Sequence, residues 1–394
     1  MEEEKIDRGK ICYCSKLNKY FLFPFFIPIL SIISSKIIIY LIRNYEFGNI
    51  DYFCSIYICS SVIVGGLSFF ISLIKSREDK DRTSIRESNT NINSTNSSIK
   101  LIYHGEGIGK KYKKKIFMIL LFISVLFALN VFFGQVYVLN YTVIDTRFYE
   151  ILFICFLTKI TLKTEIYLHQ KFSIFVSFIG FVFLCIPVFF IMKKRDILIN
   201  IILVFNSFSY SLFLVLVKNI TSKYFVSPYY CCFIIGIIST VFLFIILVIH
   251  SYVIYGNLSK FLEAFEVNYI DIKYKFKFFG LLILSYLFYS ITQFLVYMTV
   301  YFFSPMIFII TQIIYPLLRY ATNIIEGTEY KIFDLIFNVV GYLILLFSIS
   351  IYHENIIFNC WGLNKDTKIF IEKRQKEDIS LTDSFDKRTE SDYE

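Results

Sequence analysis

Between Tyr20 and Tyr352 the chain runs through ten apolar stretches, most about as long as a bilayer is thick, with little polar sequence between them. A helix needs roughly 20 mostly apolar residues to cross the hydrocarbon core. This feature predicts an all-α polytopic membrane protein and excludes a soluble domain. The stretches place span 1 at 20–42, span 2 at 52–74, span 3 at 116–138, span 4 at 147–162 and span 5 at 170–192. Span 6 follows at 196–217, span 7 at 229–252, span 8 at 278–301, span 9 at 305–325 and span 10 at 332–352. Ser304-Pro305 separates spans 8 and 9, because the residue before a proline is steered away from helical backbone.

Charge is distributed as this reading requires. The chain is 56% apolar and 20% aromatic, and its charged residues fall mainly in the two tails and two longer loops. A soluble protein would scatter them over every exposed helix face. The excess of Ile, Phe, Tyr, Lys and Asn is the signature of AT-rich coding, so a single Asn or Tyr carries little weight. The first 19 residues are charged and the apolar run after them is too long for a signal-peptide core, so span 1 is expected to be retained. Cys54, Cys59, Cys155, Cys185, Cys231 and Cys232 lie in or beside spans, where cysteine acts as a small apolar residue. No cysteine pair has metal-site spacing, and His104, His169, His250 and His353 form no ligand cluster, so neither a metal nor another cofactor is expected. Cys12 and Cys14, in a basic segment ahead of span 1, are candidates for palmitoylation.

Basic residues in short flanks mark the cytoplasmic side. The N-terminal tail (1–19) carries five Lys or Arg, the 75–115 loop eleven, and the tail over 353–394 seven. An even number of spans puts these three segments on one side, with both termini cytoplasmic. Lys193, Lys194 and Arg195, and four lysines in the 253–277 loop, run against that orientation. The low-complexity segment 83–99 and the charged tail beyond Lys365 are expected to be disordered. In the 253–277 loop, Leu258, Phe261, Leu262 and Phe265 recur at helical spacing and predict a short interfacial helix.

The two halves, 20–192 and 193–352, share a layout. Gln135 precedes Asp145 in the short connection after span 3, as Gln293 precedes Ser304 after span 8. Polar turns at Thr164-Glu165 and Thr328-Glu329 follow, and each leads to a final span with a central glycine, Gly180 or Gly341. Five spans per copy is an odd number, so the second copy sits upside down. Inverted repeats of this kind build transporters whose substrate site lies near the midplane between the halves.

Three local patterns carry a resemblance: Ser34-Ser35-Lys36 in span 1, Asn206-Ser207-Phe208-Ser209-Tyr210-Ser211 with Lys218 in span 6, and a C-terminal set. That set comprises Ser304-Pro305, Tyr315-Pro316-Leu317-Leu318-Arg319, Glu326-Gly327-Thr328-Glu329, Gly341 and Tyr352. Together with the layout of 20–352 they resemble the drug/metabolite transporter superfamily of EamA-like carriers. The likeness lies nearest the chloroquine-resistance-transporter or the triose-phosphate and nucleotide-sugar translocator branches. The resemblance implies two inverted five-helix repeats, a carrier activity and an intracellular organelle membrane. The plastid phosphate carriers hold phosphate with a Lys-Arg pair in span 9. Here Leu318 precedes Arg319, and Ser211 stands where those carriers have an arginine, which argues against a sugar phosphate.

Candidate substrate-binding residues follow from polarity inside the spans. An ionisable side chain at the centre of a span costs about 2.5–3.5 kcal/mol on insertion scales and so has a function or a partner. Lys36 is one, either facing the substrate or snorkelling to the interface. In span 9, Gln312, Tyr315, Arg319 and Asn323 share a helical face, which predicts a cavity-lining stripe. Arg319 either binds a carboxylate or phosphate with its planar fork or pairs with Glu150 or Glu329. Glu150 either takes up a coupled proton, its pKa raised by burial, or forms a rim ion pair with Arg147. Asn130, Gln135, Asn206, Tyr210, Gln293 and Asn338 are the neutral candidates, each either lining a cavity or joining helices through hydrogen bonds.

The expected function is a secondary carrier, not an enzyme. It moves a small polar or charged metabolite, with a coupled proton or an exchanged metabolite, and its surroundings are the lipid bilayer; no nucleic acid is involved. A polytopic enzyme such as a lipid-linked glycosyltransferase is the alternative. Its chemistry calls for clustered carboxylates, whereas Asp51, Asp145 and Asp271 stand apart. A receptor or scaffold fits the repeat poorly, and no Gly-rich nucleotide loop supports an ATP-driven pump.

Overall fold

The computed structural model describes residues 23–45, 57–60, 62–63, 65–66, 110–136, 147–163, 166–191, 194–224, 226–263, 272–325 and 332–358, with 362–363, 367 and 370. No strand occurs among them. The helices are α1 (Phe23–Tyr45), α2 (Lys110–Val136), α3 (Arg147–Thr161), α4 (Leu168–Ile191), α5 (Lys194–Lys223) and α6 (Pro228–Tyr255). They continue with α7 (Ser259–Glu263), α8 (Ile272–Phe302), α9 (Pro305–Gln312), α10 (Ile314–Ile325) and α11 (Ile332–Tyr352). A further helical segment lies at 57–66, between residues that are not described. The 75–109 part of the basic loop, the turns at Thr164-Glu165 and Thr328-Glu329, Cys12, Cys14 and most of the C-terminal tail lie outside the described residues.

Among the described helices, seven are long and apolar enough to cross a membrane: the stretches Pro24–Leu41, Lys114–Gly134, Leu168–Phe190, Ile197–Lys223, Pro228–Tyr255, Phe276–Phe302 and Ile332–Tyr352. Their outward faces carry large apolar side chains, among them Phe190, Phe205, Tyr252 and Val253. In water such a surface would aggregate; in lipid it is the solvated face. The chain is a multi-pass membrane protein. The other three expected spans differ in kind. Span 2 lies mostly outside the described residues. Span 4 is the 15-residue α3, about 22 Å long at the helical rise and short of the roughly 30 Å core. Span 9 is two helices, α9 and α10, broken at Ile313.

Proline sets that break. In a continuous helix the N–H of residue 316 would donate to the Gln312 carbonyl, but Pro316 has no N–H and its ring crowds the carbonyl four residues back. The helix stops at Gln312, Ile313 closes the turn with an N–H bond to Ile310 O (3.2 Å), and helix resumes at Ile314. The other end of α9 follows the expected boundary. Ser304 is extended at φ −150°, its hydroxyl accepts from Ile307 N, and Pro305 opens the helix where a missing N–H costs nothing. Likewise α6 opens on Pro228 and ends at Gly256, whose φ of 70° suits glycine. The expected interfacial helix is the five-residue α7, with Phe261 tucked edge-on against Phe244 and Leu258 and Leu262 exposed. Phe265 lies outside the described residues.

Small residues set the closest helix contacts. Where α4 crosses α11, a Cβ on Gly180 would stand 2.9 Å from Leu345 Cδ2, and one on Gly341 would stand 2.7 Å from Leu184 Cδ2. Each glycine thus receives the leucine four residues beyond the other. The 57–66 segment crosses α6 in the same reciprocal manner. A Cβ on Gly66 would collide with the Phe233 backbone, and one on Gly236 would stand 2.7 Å from Ile63 N. With lipid outside as apolar as the helices themselves, close packing of this kind and interhelical hydrogen bonds replace the hydrophobic drive. Beyond these crossings, α1 packs on α8, α10 and α9, α2 packs on α6 and α5, and α3 packs on α5 and α9.

Candidate functional site

A cavity of about 270 Å³ opens between α1, the 57–66 segment, α2, α5, α8 and α9–α10. From α1 it is lined by Ile27, Ser31 and Ser35, from the 57–66 segment by Ile58, and from α2 by Phe127, Asn130, Val131 and Gly134. Tyr210 of α5, the α8 residues Tyr289, Thr292, Gln293 and Val296, then Phe308, Gln312 and Tyr315, complete the wall. Residues from both halves of the sequence meet here.

The polar wall is mostly held in place by its own helices. Ser35 donates to Ser31 O at 2.7 Å and Thr292 to Phe288 O at 2.8 Å, so both hydroxyl protons are used locally. Asn130 Nδ2 donates across to Asn206 Oδ1 at 3.2 Å and Asn206 O at 3.4 Å, tying α2 to α5 at the cavity edge. Tyr210 stacks on Phe213, which meets Tyr297 edge-on. Gln312 is the exception. It is only 8% exposed, and its Nε2 has no hydrogen-bond partner among the described residues. A buried amide donor left unmade is costly, about 1–3 kcal/mol. Gln312 sits at the last turn of α9, on the break that Pro316 causes.

Of the expected site residues, Asn130, Tyr210, Gln293, Gln312 and Tyr315 line this cavity, and Asn206 stands behind Asn130. Of the span 9 stripe, Gln312 and Tyr315 both line the cavity across the turn at Ile313, whose backbone is still helical; Arg319 is exposed and outside the lining set, and the Asn323 side chain lies outside the described residues. The Gln135 side chain is likewise not described. Lys36 is half-buried on α1 and is not among the lining residues. Glu150 is half-buried on α3, where its main-chain carbonyl accepts from the Ser211 hydroxyl at 3.2 Å. Asn338 is half-buried on α11, whose packing partner is α4, away from the cavity. Lys218 of the span 6 pattern donates to Tyr301 O at 2.7 Å and satisfies a carbonyl at the end of α8.

Sequence reading missed Ser31, Ser35, Tyr289 and Thr292 and the aromatic wall residues Phe127 and Phe308. Serines and aromatics are abundant throughout this chain, so none of these stands out. Pro316 did leave a signal: a proline four residues after a polar residue inside an apolar span marks a broken helix. No protein-family model matches the chain, and no curated protein is detectably similar to it.

Proposed function

We propose that this protein is a secondary carrier that moves a small polar metabolite by alternating access through the central cavity. The single observation that carries the reading is the position of that cavity. It lies between helices of both sequence halves, and a helix kinked ahead of Pro316 forms part of its wall. A site between the two halves is where carriers built from repeats hold their substrate.

Ten spans in two inverted repeats account for most of the larger helix pairings, while α5–α8 and α3–α4 have no counterpart of like extent among the described residues. Exchange span 1 with 6, 2 with 7, 3 with 8, 4 with 9 and 5 with 10. The α1–α8 contact then becomes α2–α5, and α3–α5 becomes the contact of α1 with α9 and α10. The bond from Tyr286 OH to Ser60 O, joining α8 to the 57–66 segment, corresponds to the α2–α6 contact. The contacts α4–α11 and α3–α9, and the Gly66–Gly236 crossing, map onto themselves. Ser34 bonding Ser285 at 3.1 Å is thereby the counterpart of Asn130 bonding Asn206. These pairings support the repeat and, with it, the resemblance to the drug/metabolite transporter superfamily. Rocking of one half against the other about the glycine crossings would open the cavity to alternate sides.

Uptake into liposomes carrying the purified protein tests the reading. The panel covers sugars, sugar phosphates, nucleosides, nucleotide sugars, amino acids and organic cations, with counterflow and an imposed pH gradient separating exchange from proton coupling. Saturable, protein-dependent uptake of one class is expected; none across the panel would overturn the carrier reading. Cysteines placed at Asn91 and Lys387 should label from the cytosol and one at Asn257 only from the other face. Labelling of Asn91 and Asn257 from one side would sink the inverted repeat.

A further inference from the structure

Glu150 lies deeper than a rim residue. The apolar stretch of α5 runs over Ile197–Lys223, and Ser211 stands near its middle, about 21 Å from one end and about 18 Å from the other at the helical rise. The Ser211 hydroxyl, shared with Ser207 O, reaches Glu150 O at 3.2 Å. One turn on, Phe153 meets Phe208 of α5 edge-on. Both contacts set the first turn of α3 against the middle of a spanning helix, and Glu150 is the acid of that turn. It is half-buried there. An ionised acid at such depth is costly, so it takes a counter-charge or a proton, and acids so placed mark proton relays.

The contact also lies on the seam between the two halves, because Glu150 belongs to 20–192 and Ser211 to 193–352. Tyr210, next to Ser211, lines the cavity. Any rocking that turns the cavity to the other side therefore moves the surroundings of Glu150 with it. We propose that Glu150 is the proton site of the carrier. Its carboxylate takes up one proton from one side before the halves rock and releases it on the other, so that a proton gradient drives the solute. This step rests on reading the cavity as the transport site. The helices that α3 packs on are α5, α9 and α4. From α5 the titratable groups nearest this level are Tyr210 and Lys218, and Lys218, two turns further along, donates to Tyr301 O. The α4 helix brings Cys185 beside Tyr149, and α9 carries no titratable residue. On α3 itself Tyr149 precedes Glu150, and Arg147, the first residue of the helix, is spaced to pair with the ionised carboxylate.

Two measurements on the full-length protein in liposomes test the inference. The first needs no solute. Infrared difference spectra between acid and alkaline pH are expected to show the C=O band of a protonated carboxyl that is lost in Glu150→Gln. The second follows uptake of glucose, glucose 6-phosphate, uridine, glutamate and choline, with and without a gradient of about one pH unit and the membrane potential held at zero. With one proton per solute, that gradient drives up to about tenfold accumulation of the solute carried. Glu150→Gln should abolish this accumulation, losing far more of it than of solute counterflow, and Glu150→Asp should keep part. Absence of a Glu150-dependent band overturns the inference, as a permanent ion pair with Arg147 would give none. So does undiminished gradient-driven accumulation in folded Glu150→Gln. Uptake by the unaltered protein that ignores the gradient also overturns it, leaves the carrier reading standing, and needs no variant to fold. No uptake of any of the five solutes removes the carrier reading and the inference together.

Discussion

Along the crossing of α4 and α11, Ser173 and Ser348 donate to each other's carbonyls at 2.8 Å, and the Ser177 hydroxyl donates to that of Ser348. Above them Gly180 and Gly341 bring the backbones together with no space to spare. The cavity wall is also polar and also buried, yet Gln312 is left there with a donor unmade. Both regions place small polar side chains in an apolar bundle. In the crossing every such group is matched within the protein, so the contact is dry and fixed. At the cavity wall one buried donor is unmatched among the described residues. The comparison teaches how the bundle uses its polar side chains: matched across a crossing they hold two helices together, whereas an unmatched group, as at Gln312, Thr158, Tyr297 and Thr299, adds no such bond.

The fixed contacts should break hardest. Gly236→Ala places a Cβ 2.7 Å from Ile63 N and 2.9 Å from Val62 C, both backbone atoms that cannot rotate away. Overpacking of this sort costs about 1–3 kcal/mol, often more against backbone. The expected result is a large fall in melting temperature in detergent, or loss of folded protein. Gly341→Ala should be milder, because the nearest atom is the movable Leu184 Cδ2, although Gly180 O at 3.0 Å limits relief. Equal effects at the two sites would show that the glycine crossings are not set by backbone contact.

Removing a polar group should have opposite signs in the two regions. Ser348→Ala strips partners from Ser173 and Ser177, all of them almost fully buried. At about 0.6–1.7 kcal/mol per interhelical bond in a membrane, a clear fall in melting temperature is expected. Gln312→Leu removes a donor that has no partner among the described residues, so thermal stability should hold or rise by about 1 kcal/mol. Destabilisation by both variants to the same extent would mean that Gln312 is structural, and the contrast between the regions would disappear.

Much of this arrangement was legible in the chain. Hydropathy alone located the seven long apolar helices among the described residues, and span 10 matches α11 residue for residue at 332–352. The Ser304-Pro305 boundary was also read correctly, since it acts through local backbone chemistry. Five of the residues chosen for polarity inside a span, Asn130, Tyr210, Gln293, Gln312 and Tyr315, line one cavity. What sequence could not supply was direction. Whether a helical face looks at lipid, at another helix or at a void depends on tertiary packing, which is why Asn338 reads like Asn130 and yet sits away from the cavity. The span 9 stripe holds at Gln312 and Tyr315, and Arg319, one turn on, is exposed for the same reason: its surroundings are set by tertiary packing.

Arg319 offers the smallest expected effect and the sharpest limit on where the site ends. It lies on α10, seven residues beyond Gln312, and its side chain is exposed. An exposed arginine in mid-helix can reach the interface with its charge while its stem covers apolar surface. Lysine does the same with a compact ammonium, losing only the planar fork that matters when two donors grip one anion. Arg319→Lys should therefore leave melting temperature and uptake within experimental error of the unaltered protein, and Arg319→Ala should lower protein yield slightly without changing the apparent affinity for solute. A selective loss of affinity in Arg319→Lys, with stability intact, would instead extend the site along α10. It would bring a charge into contact with the solute.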